Sequence, residues 1–213
     1  MKLFVYSFLF ALSVLCLLFL FASRHENHSP KNINRYKLND QPDSAEKSRI
    51  IQKAVIIKKY ITGKKLNNKH CFLIDMNLPS GKNRFFVFDL SKDSIVLAGC
   101  VAHGHCKKGF CPTAIFSNQE KSCCTALGKY RVGAHYNGQY GLAYKLYGLD
   151  SSNSNAYARN IVLHAYSCVP EKETDPVPIC NSSGCPMLSP GFLKKLQPYI
   201  DKEPQPVVLW IFN

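Results

Sequence analysis

The sequence predicts a mainly β domain with a few flanking helices, preceded by an N-terminal apolar helix. Three observations carry that expectation. From Cys71 onward, short runs rich in β-branched and aromatic residues are punctuated by Gly, Pro, Asn and Ser, the pattern of strands and turns. Only two stretches outside the leader show helical spacing of apolar residues. The chain also opens on an apolar run of about 20 residues, roughly what a helix needs to cross a bilayer.

That run, Leu3 to Ala22, is broken only by Ser7 and Ser13. A cleaved signal peptide would carry a shorter apolar core and a small-x-small site, of which Phe21-Ala22-Ser23 is a weak version. Residues 1–23 therefore read as a signal anchor or, second, as a signal peptide. Residues 24–43 are polar and basic, hold Pro30 and Pro42, and read as a linker. Residues 44–213 form the expected domain.

Within it, Ser44 precedes Ala45-Glu46-Lys47, and Ile50, Ala54, Ile57 and Ile61 recur at three- and four-residue steps. This predicts a helix over about 45–61, packed on the domain with its lysines outward or, less favoured, lying on a membrane surface. Seven strands are expected: 71–75, 84–89, 94–98, 130–133, 142–146, 161–164 and 207–211. Leu78-Pro-Ser-Gly81 marks a turn between the first two. A second helix starts with Ser189 as N-cap and Pro190 as its first residue, with Leu193, Leu196 and Ile200 on one face.

The formal net charge is +13 over 213 residues, and the excess is concentrated in residues 24–69. Such a segment attracts anionic lipid or wall polymer, or is simply a solvated tether. A nucleic-acid partner is not expected, since no recognisable binding module accompanies the charge. The chain has ten cysteines, one of them (Cys16) inside the leader. The remaining nine are an odd number: one held free leaves eight for up to four disulfides, which fits an extracytoplasmic, oxidising compartment. The basic residues Arg24, Lys31, Arg35 and Lys37 after the leader pull the other way, since the positive-inside tendency would keep them in the cytoplasm. Cys168 and Cys180 bracket one loop and make a plausible bridge. The cluster His103-Gly-His105-Cys106-x4-Cys111 with Cys123-Cys124 also suits metal ligation, but the spacing is not that of a common zinc module, so no metal is expected.

The candidate chemistry lies between residues 160 and 189. His164 ends an apolar β-branched run, and Cys185 stands between Gly184 and Pro186. A thiol at its ordinary pKa is little ionised at neutral pH and needs an imidazole to take its proton. Gly184 permits a sharp turn that brings the amides of Ser183, Gly184 and Cys185 toward an oxyanion. Ser182 either bonds the loop or donor, or only satisfies turn amides. Cys185 has one bland alternative, a structural disulfide with Cys180.

These residues resemble a known family. His164 followed by Ser182-Ser183-Gly184-Cys185-Pro186 is similar to the His and Ser/Thr-x-Gly-Cys signature of the YkuD-type murein L,D-transpeptidase catalytic domain, in the branch with Pro after the Cys. Val101-Ala-His103-Gly104, Phe116-Ser-Asn118, Ser122 to Tyr130, Gly141 to Leu149, and Asn155-Ala156 with Arg159 resemble further blocks, so the likeness runs from about Cys71 to Ile211. Two positions depart: Ser183 stands where many members have His, and Asn181 where the branch often has Arg.

The resemblance implies a β-sandwich-like domain with its site at one open end. It implies that Cys185 attacks the L-centre carbonyl of a peptidoglycan stem tetrapeptide and expels D-alanine, leaving a thioester, with His164 as base. An amine of a neighbouring stem or a wall-attached protein then accepts the acyl group, or water does, which would make a carboxypeptidase. His103, Gly104, Arg159 and Tyr166 are expected along the substrate groove, and no cofactor is required. Tyr144 and Tyr147 are read as core. A different class, a catalytically silent wall-binding module of the same fold, would leave Cys185 unreactive.

Overall fold

The structure, a computed structural model, describes residues 44–213. The expected leader and linker lie outside the described residues. Among those described, no helix is long and apolar enough to cross a membrane.

The elements in chain order are α1 (Ser44–Ile61), β1 (His70–Asp75), β2 (Phe85–Asp89), β3 (Ser94–Gly99), β4 (Val101–Ala102), β5 (Gly128–Gly138), β6 (Gly141–Gly148), a 3-10 turn (Ser151–Asn153), β7 (Val162–Ala165), β8 (Met187–Leu188), α2 (Pro190–Asp201) and β9 (Val208–Phe212). All seven expected strands and both expected helices are present. The pairs β4 and β8, two residues each, are additions.

The nine strands form one sheet in the order β3-β2-β1-β9-β5-β6-β7-β8-β4. The β1–β9 and β7–β8 pairs are parallel, and the rest antiparallel. Its two edge strands, β3 and β4, are separated in sequence by Cys100 alone. The ends of the sheet must therefore meet, and the sheet is nearly closed. The sandwich expected from the sequence takes the form of a single sheet curled on itself.

Closure gives each strand an inner and an outer face, and along β1 and β2 both are covered. Along β1 and β2, Phe72, Ile74, Phe85 and Val87 point into an inner core shared with Tyr130, Leu146, Leu163 and Leu209. Cys71, Leu73, Phe86 and Phe88 alternate with them and meet Ile50, Ala54 and Ile57 of α1. Burial on both faces explains why these strands read as continuous apolar runs instead of an alternation. The helix is thus packed on the sheet, and its lysines serve the rim: Lys53 Nζ lies 4.7 Å from the Trp210 ring centroid. Arg49 Nε bonds the fully buried Asp75 carboxylate at 2.8 Å, fixing α1 to the end of β1. At α2, the Ser189 hydroxyl accepts from Phe192 N at 3.2 Å and Pro190 occupies the first turn, as its sequence demands.

Among the described residues two disulfides form, Cys106–Cys124 and Cys168–Cys180. The Cys168–Cys180 bridge is the one the loop suggested. The expectation of up to four is corrected by placement: Cys71 sits on the outer face of β1, Cys100 at the sheet seam bonding Gly81 O and Lys172 O, and Cys111 beside Thr113 O, each buried without a sulfur partner. Cys123 is also free. No group of three or more His, Cys, Asp or Glu side chains among the described residues is placed to hold a metal ion.

The packing of α1 makes a testable contrast. Ile57→Ala, emptying a fully buried position, should lower unfolding free energy by about 2–5 kcal/mol in urea titration, while Ile56→Ala, at a 48% exposed position, should stay within about 0.5 kcal/mol.

Candidate active site

β7 is short because it runs between Asn160, whose φ is +54°, and the Cys168–Cys180 loop. Its His164 is paired across the sheet with Ala143 of β6 and with Met187 of β8. Cys185 precedes Met187 by two residues just as Val162 precedes His164, so the parallel register carries the thiol alongside the start of β7. Val162 N–H donates to Cys185 Sγ at 3.4 Å, and the thiol faces Asn160 O at 3.9 Å. Cys185 is free. The alternative bridge to Cys180 is excluded, since Cys180 is bonded to Cys168.

His164 and Cys185 line the same pocket, of about 300 Å³, together with His105, Tyr140, Tyr166, Asn181, Ser182 and Ser183. A larger depression of about 420 Å³ between β5 and the end of α2 contains Arg131, His135 and Asp201 but no thiol. His164 Nδ1 lies 3.1 Å from the Ala165 carbonyl. A carbonyl can only accept, so Nδ1 carries the proton and Nε2 keeps its lone pair. Burial pushes the His164 pKa below its ordinary value, against the opposing bond to Ala165. Burial likewise pushes the Cys185 thiol up, more than the Val162 amide, Arg159 and Lys145 pull it down. Both shifts favour the neutral forms, imidazole and thiol.

The turn before Cys185 is held from within. Ser182 Oγ accepts from Gly184 N at 3.1 Å and donates to the Cys185 carbonyl at 2.6 Å. The Gly184 amide, one of three considered for an oxyanion, is thereby occupied, while the amides of Ser183 and Cys185 have no such partner among the described residues. Gly184 has φ +114°, and a Cβ there would lie 2.8 Å from the Cys124 carbonyl oxygen. Gly104 faces it: a Cβ on Gly104 would lie 2.9 Å from Gly184 Cα and collide with the Cys123 carbonyl. Thr125 Oγ1 joins the two segments, accepting from Gly104 N at 3.0 Å and donating to Gly184 O at 3.3 Å.

Of the other expected groove residues, only Tyr166 lines the pocket, edge-on to Tyr140. Arg159 lies behind the turn, donating to the carbonyls of Ser117 and Cys124 at 2.9 and 2.6 Å. His103 is fully buried, its Nδ1 accepting from Arg84 at 2.8 Å and its Nε2 donating to Cys111 O at 2.9 Å. Burial and the Arg84 charge depress its pKa to about 4. Tyr144 is in the core and Tyr147 stacks on Tyr157.

Two pocket residues escaped the sequence reading. Tyr140, at the β5–β6 tip, stacks on His164 with ring centroids 5.2 Å apart. Its signal was the pair Gly138 and Gly141 flanking a two-residue Gln139-Tyr140 turn, which marks a hairpin but not what its tip covers. His105 was weighed only as a metal ligand.

A free thiol and an imidazole lining one pocket, with the thiol next to a glycine bend, are the equipment of a cysteine-based acyl-transfer site. A model of the L,D-transpeptidase catalytic domain matches residues 43–210, and the chain belongs to that family. Among curated proteins there is no match. Solved structures with a similar fold include Bd1075 of Bdellovibrio bacteriovorus, 20% identical with a TM-score of 0.43 over 68% of this chain and 48% of that one. The helical cell shape determining protein Pgp2 from Campylobacter jejuni is 13% identical with a TM-score of 0.43, over 76% and 55%. An Enterococcus faecium L,D-transpeptidase is 12% identical with a TM-score of 0.41, over 69% and 50%. The chain thus spans about half the length of the solved structures it matches.

Gly184→Ala should cost more than about 1 kcal/mol in a denaturant melt, because both φ and space oppose the methyl group. Ser182→Ala should leave the Gly184 amide unpaired and broaden the alkylation kinetics of Cys185 by iodoacetamide.

Proposed function

We propose that this chain is a cysteine-dependent L,D-transpeptidase that remodels peptidoglycan outside the cytoplasm, held at the membrane by residues 3–22 or released after their cleavage. The observation that carries the reading is a free Cys185 thiol in one pocket with His164, whose Nδ1–H is committed to Ala165 O so that Nε2 is left as a base.

In the first half-reaction the L-centre carbonyl of a stem tetrapeptide enters the pocket. Cys185 Sγ attacks the carbonyl carbon as its proton passes to His164 Nε2, and the oxyanion is met by the free amides of Ser183 and Cys185. The C–N bond breaks, His164 returns the proton to the leaving nitrogen, and D-alanine departs. The product is a thioester on Cys185. In the second half-reaction His164 takes a proton from an incoming amine of a neighbouring stem or a wall-attached protein, the amine nitrogen displaces Sγ from the acyl carbon, and His164 returns the proton to the departing sulfur. Water in place of the amine yields a shortened tripeptide stem by the same route. The neutral resting pair favours proton transfer during attack over a preformed thiolate.

Support from outside the site is the family membership and the two disulfides, which suit an oxidising compartment.

Incubation with purified tetrapeptide muropeptides, followed by mass spectrometry, should show loss of D-alanine with cross-linked dimers or tripeptides. His164→Ala should reduce turnover about 10²–10⁴-fold, and Cys185→Ala should abolish the acyl-enzyme mass shift. A wild-type protein with no turnover and an inert Cys185 would sink the proposal in favour of a silent binding module.

The pH dependence follows from the same pair. Because neutral His164 is the active form and burial lowers its pKa, kcat/KM should fall only on acidification below about 6.5. Because burial raises the thiol, iodoacetamide labelling of Cys185 in the free enzyme should keep rising above about pH 8.5. A labelling plateau near neutrality would instead mark a resting thiolate.

A further inference from the structure

The outward face of α1 is apolar at its centre and basic around it. Ile50, Ala54, Ile57 and Ile61 turn inward onto the sheet, while Val55 and Ile56 are 45% and 48% exposed. Ile56 lies three residues after Lys53 and four before Tyr60, so the three share one flank of the helix. That flank continues onto the sheet. Lys53 Nζ lies 4.7 and 4.8 Å from the ring centroids of Trp210 and Phe212, and Lys129 Nζ lies 5.3 and 5.1 Å from those of Tyr60 and Trp210. Tyr60 and Trp210 both stay partly exposed.

Charge on this face has one sign. Residues 44–69 hold eight Lys and Arg against a single acid, Glu46, which is buried and bonded by Lys82. Arg49, Lys58 and Lys69 meet carboxylates. Lys47, Lys53, Lys59, Lys64 and Lys65 form no salt bridge among the described residues. Lysine stems laid over aromatic rings, beside exposed β-branched side chains, are the composition that settles at a lipid–water boundary.

The same features choose between occupants. A second copy would set a basic face against its like. An anionic wall polymer would satisfy the lysines and leave Val55 and Ile56 in water. A bilayer containing anionic phospholipid takes both, and along the chain only residues 23–43 separate the apolar run 3–22 from α1.

We infer that the outward face of α1, with Trp210 at its edge, docks on an anionic lipid surface, with Val55 and Ile56 among the headgroups and the lysines on the phosphates. This rests on the reading in which the chain works at a membrane. Packing on the sheet and docking on lipid use opposite faces of one helix and do not compete.

Trp210 is the single tryptophan of the chain and reports the docked state. The full chain is reconstituted with brominated vesicles of phosphatidylcholine, alone or mixed with phosphatidylglycerol. In the anionic vesicles Trp210 emission should shift to the blue and be quenched, and high salt should reverse both. In the neutral vesicles it should remain as in buffer. Lys59→Gln and Lys65→Gln should each weaken docking about fivefold, and Val55→Ser with Ile56→Ser by more than about tenfold. Circular dichroism and the iodoacetamide labelling rate of Cys185 should not change, since all four positions are exposed. Equal quenching in the two lipid mixtures, or quenching unchanged in the variants, would overturn the inference. Loss in the lysine variants alone, with Val55→Ser, Ile56→Ser behaving as wild type, would also overturn it and assign the face to an anionic polymer.

Co-sedimentation with the neutral vesicles separates this inference from the reading beneath it. If the chain does not pellet with them but Trp210 is quenched in anionic ones, the anchor at residues 3–22 falls and α1 docking stands. If it pellets with both and Trp210 is quenched in neither, the anchor stands and α1 docking falls.

Discussion

The position of the thiol depends on the pairing of a two-residue strand. Met187–Leu188 is held on one side by β7 and on the other by β4, and β4 reaches it because a single residue, Cys100, carries the chain from one edge of the sheet to the other. Closure of the sheet and placement of Cys185 are the same event. Two bonds donated by backbone amides, Val162 N to Cys185 Sγ and His105 N to Ser182 O, then set the turn between the strand carrying His164 and the segment carrying His105. Packing on both faces of β1 and β2 supplies the rigidity that so short a strand lacks.

Around this seam the polar residues divide into supports and reactants by what they already hold. Arg84 gives its guanidinium to Val101 O, Leu78 O and His103 and has no carboxylate partner among the described residues, an arrangement that holds the backbone entering the site. Burial lowers its pKa to about 10. Arg159 performs the matching task from behind, gathering the carbonyls of residues 117 and 124 beneath Gly184. The Cys106–Cys124 bridge closes the same segment covalently. These groups are spent mainly on backbone carbonyls, whereas His164 and Cys185 line the pocket.

Legibility in the sequence followed the same division. The strands were readable because each buries a β-branched or aromatic run, and α2 because Ser189-Pro190 is a local capping signal that needs no tertiary context. β4 and β8 were not, because two residues have no period and are strands only through their partners. Cys185, His164 and Gly184 stood out by chemistry and spacing. His103, Gly104 and Arg159 were legible as site-proximal but not as to which way they face: the same His-Gly dipeptide puts His103 into the core, Gly104 against Gly184, and the following His105 into the pocket. The hydroxyl of Ser182 captured an amide that a linear reading leaves open, because that bond exists only once the turn is formed.

The cysteines show why one bridge, Cys168–Cys180, was legible in the sequence and the rest of the connectivity was not. A bridge needs two Cα atoms within about 7 Å with side chains converging, and the nearly closed sheet separates Cys71 on its outer face from Cys100 at the seam. What remains, Cys106–Cys124 and Cys168–Cys180, falls on either side of the Cys185 turn, in the two loops with the least regular structure. Disulfides thus appear where the sheet gives no support, and thiols remain where packing already fixes the chain. Cys123 and Cys185 are the exceptions, free thiols outside the regular strands, and Cys180, the cysteine that precedes Cys185 in sequence, is held by Cys168.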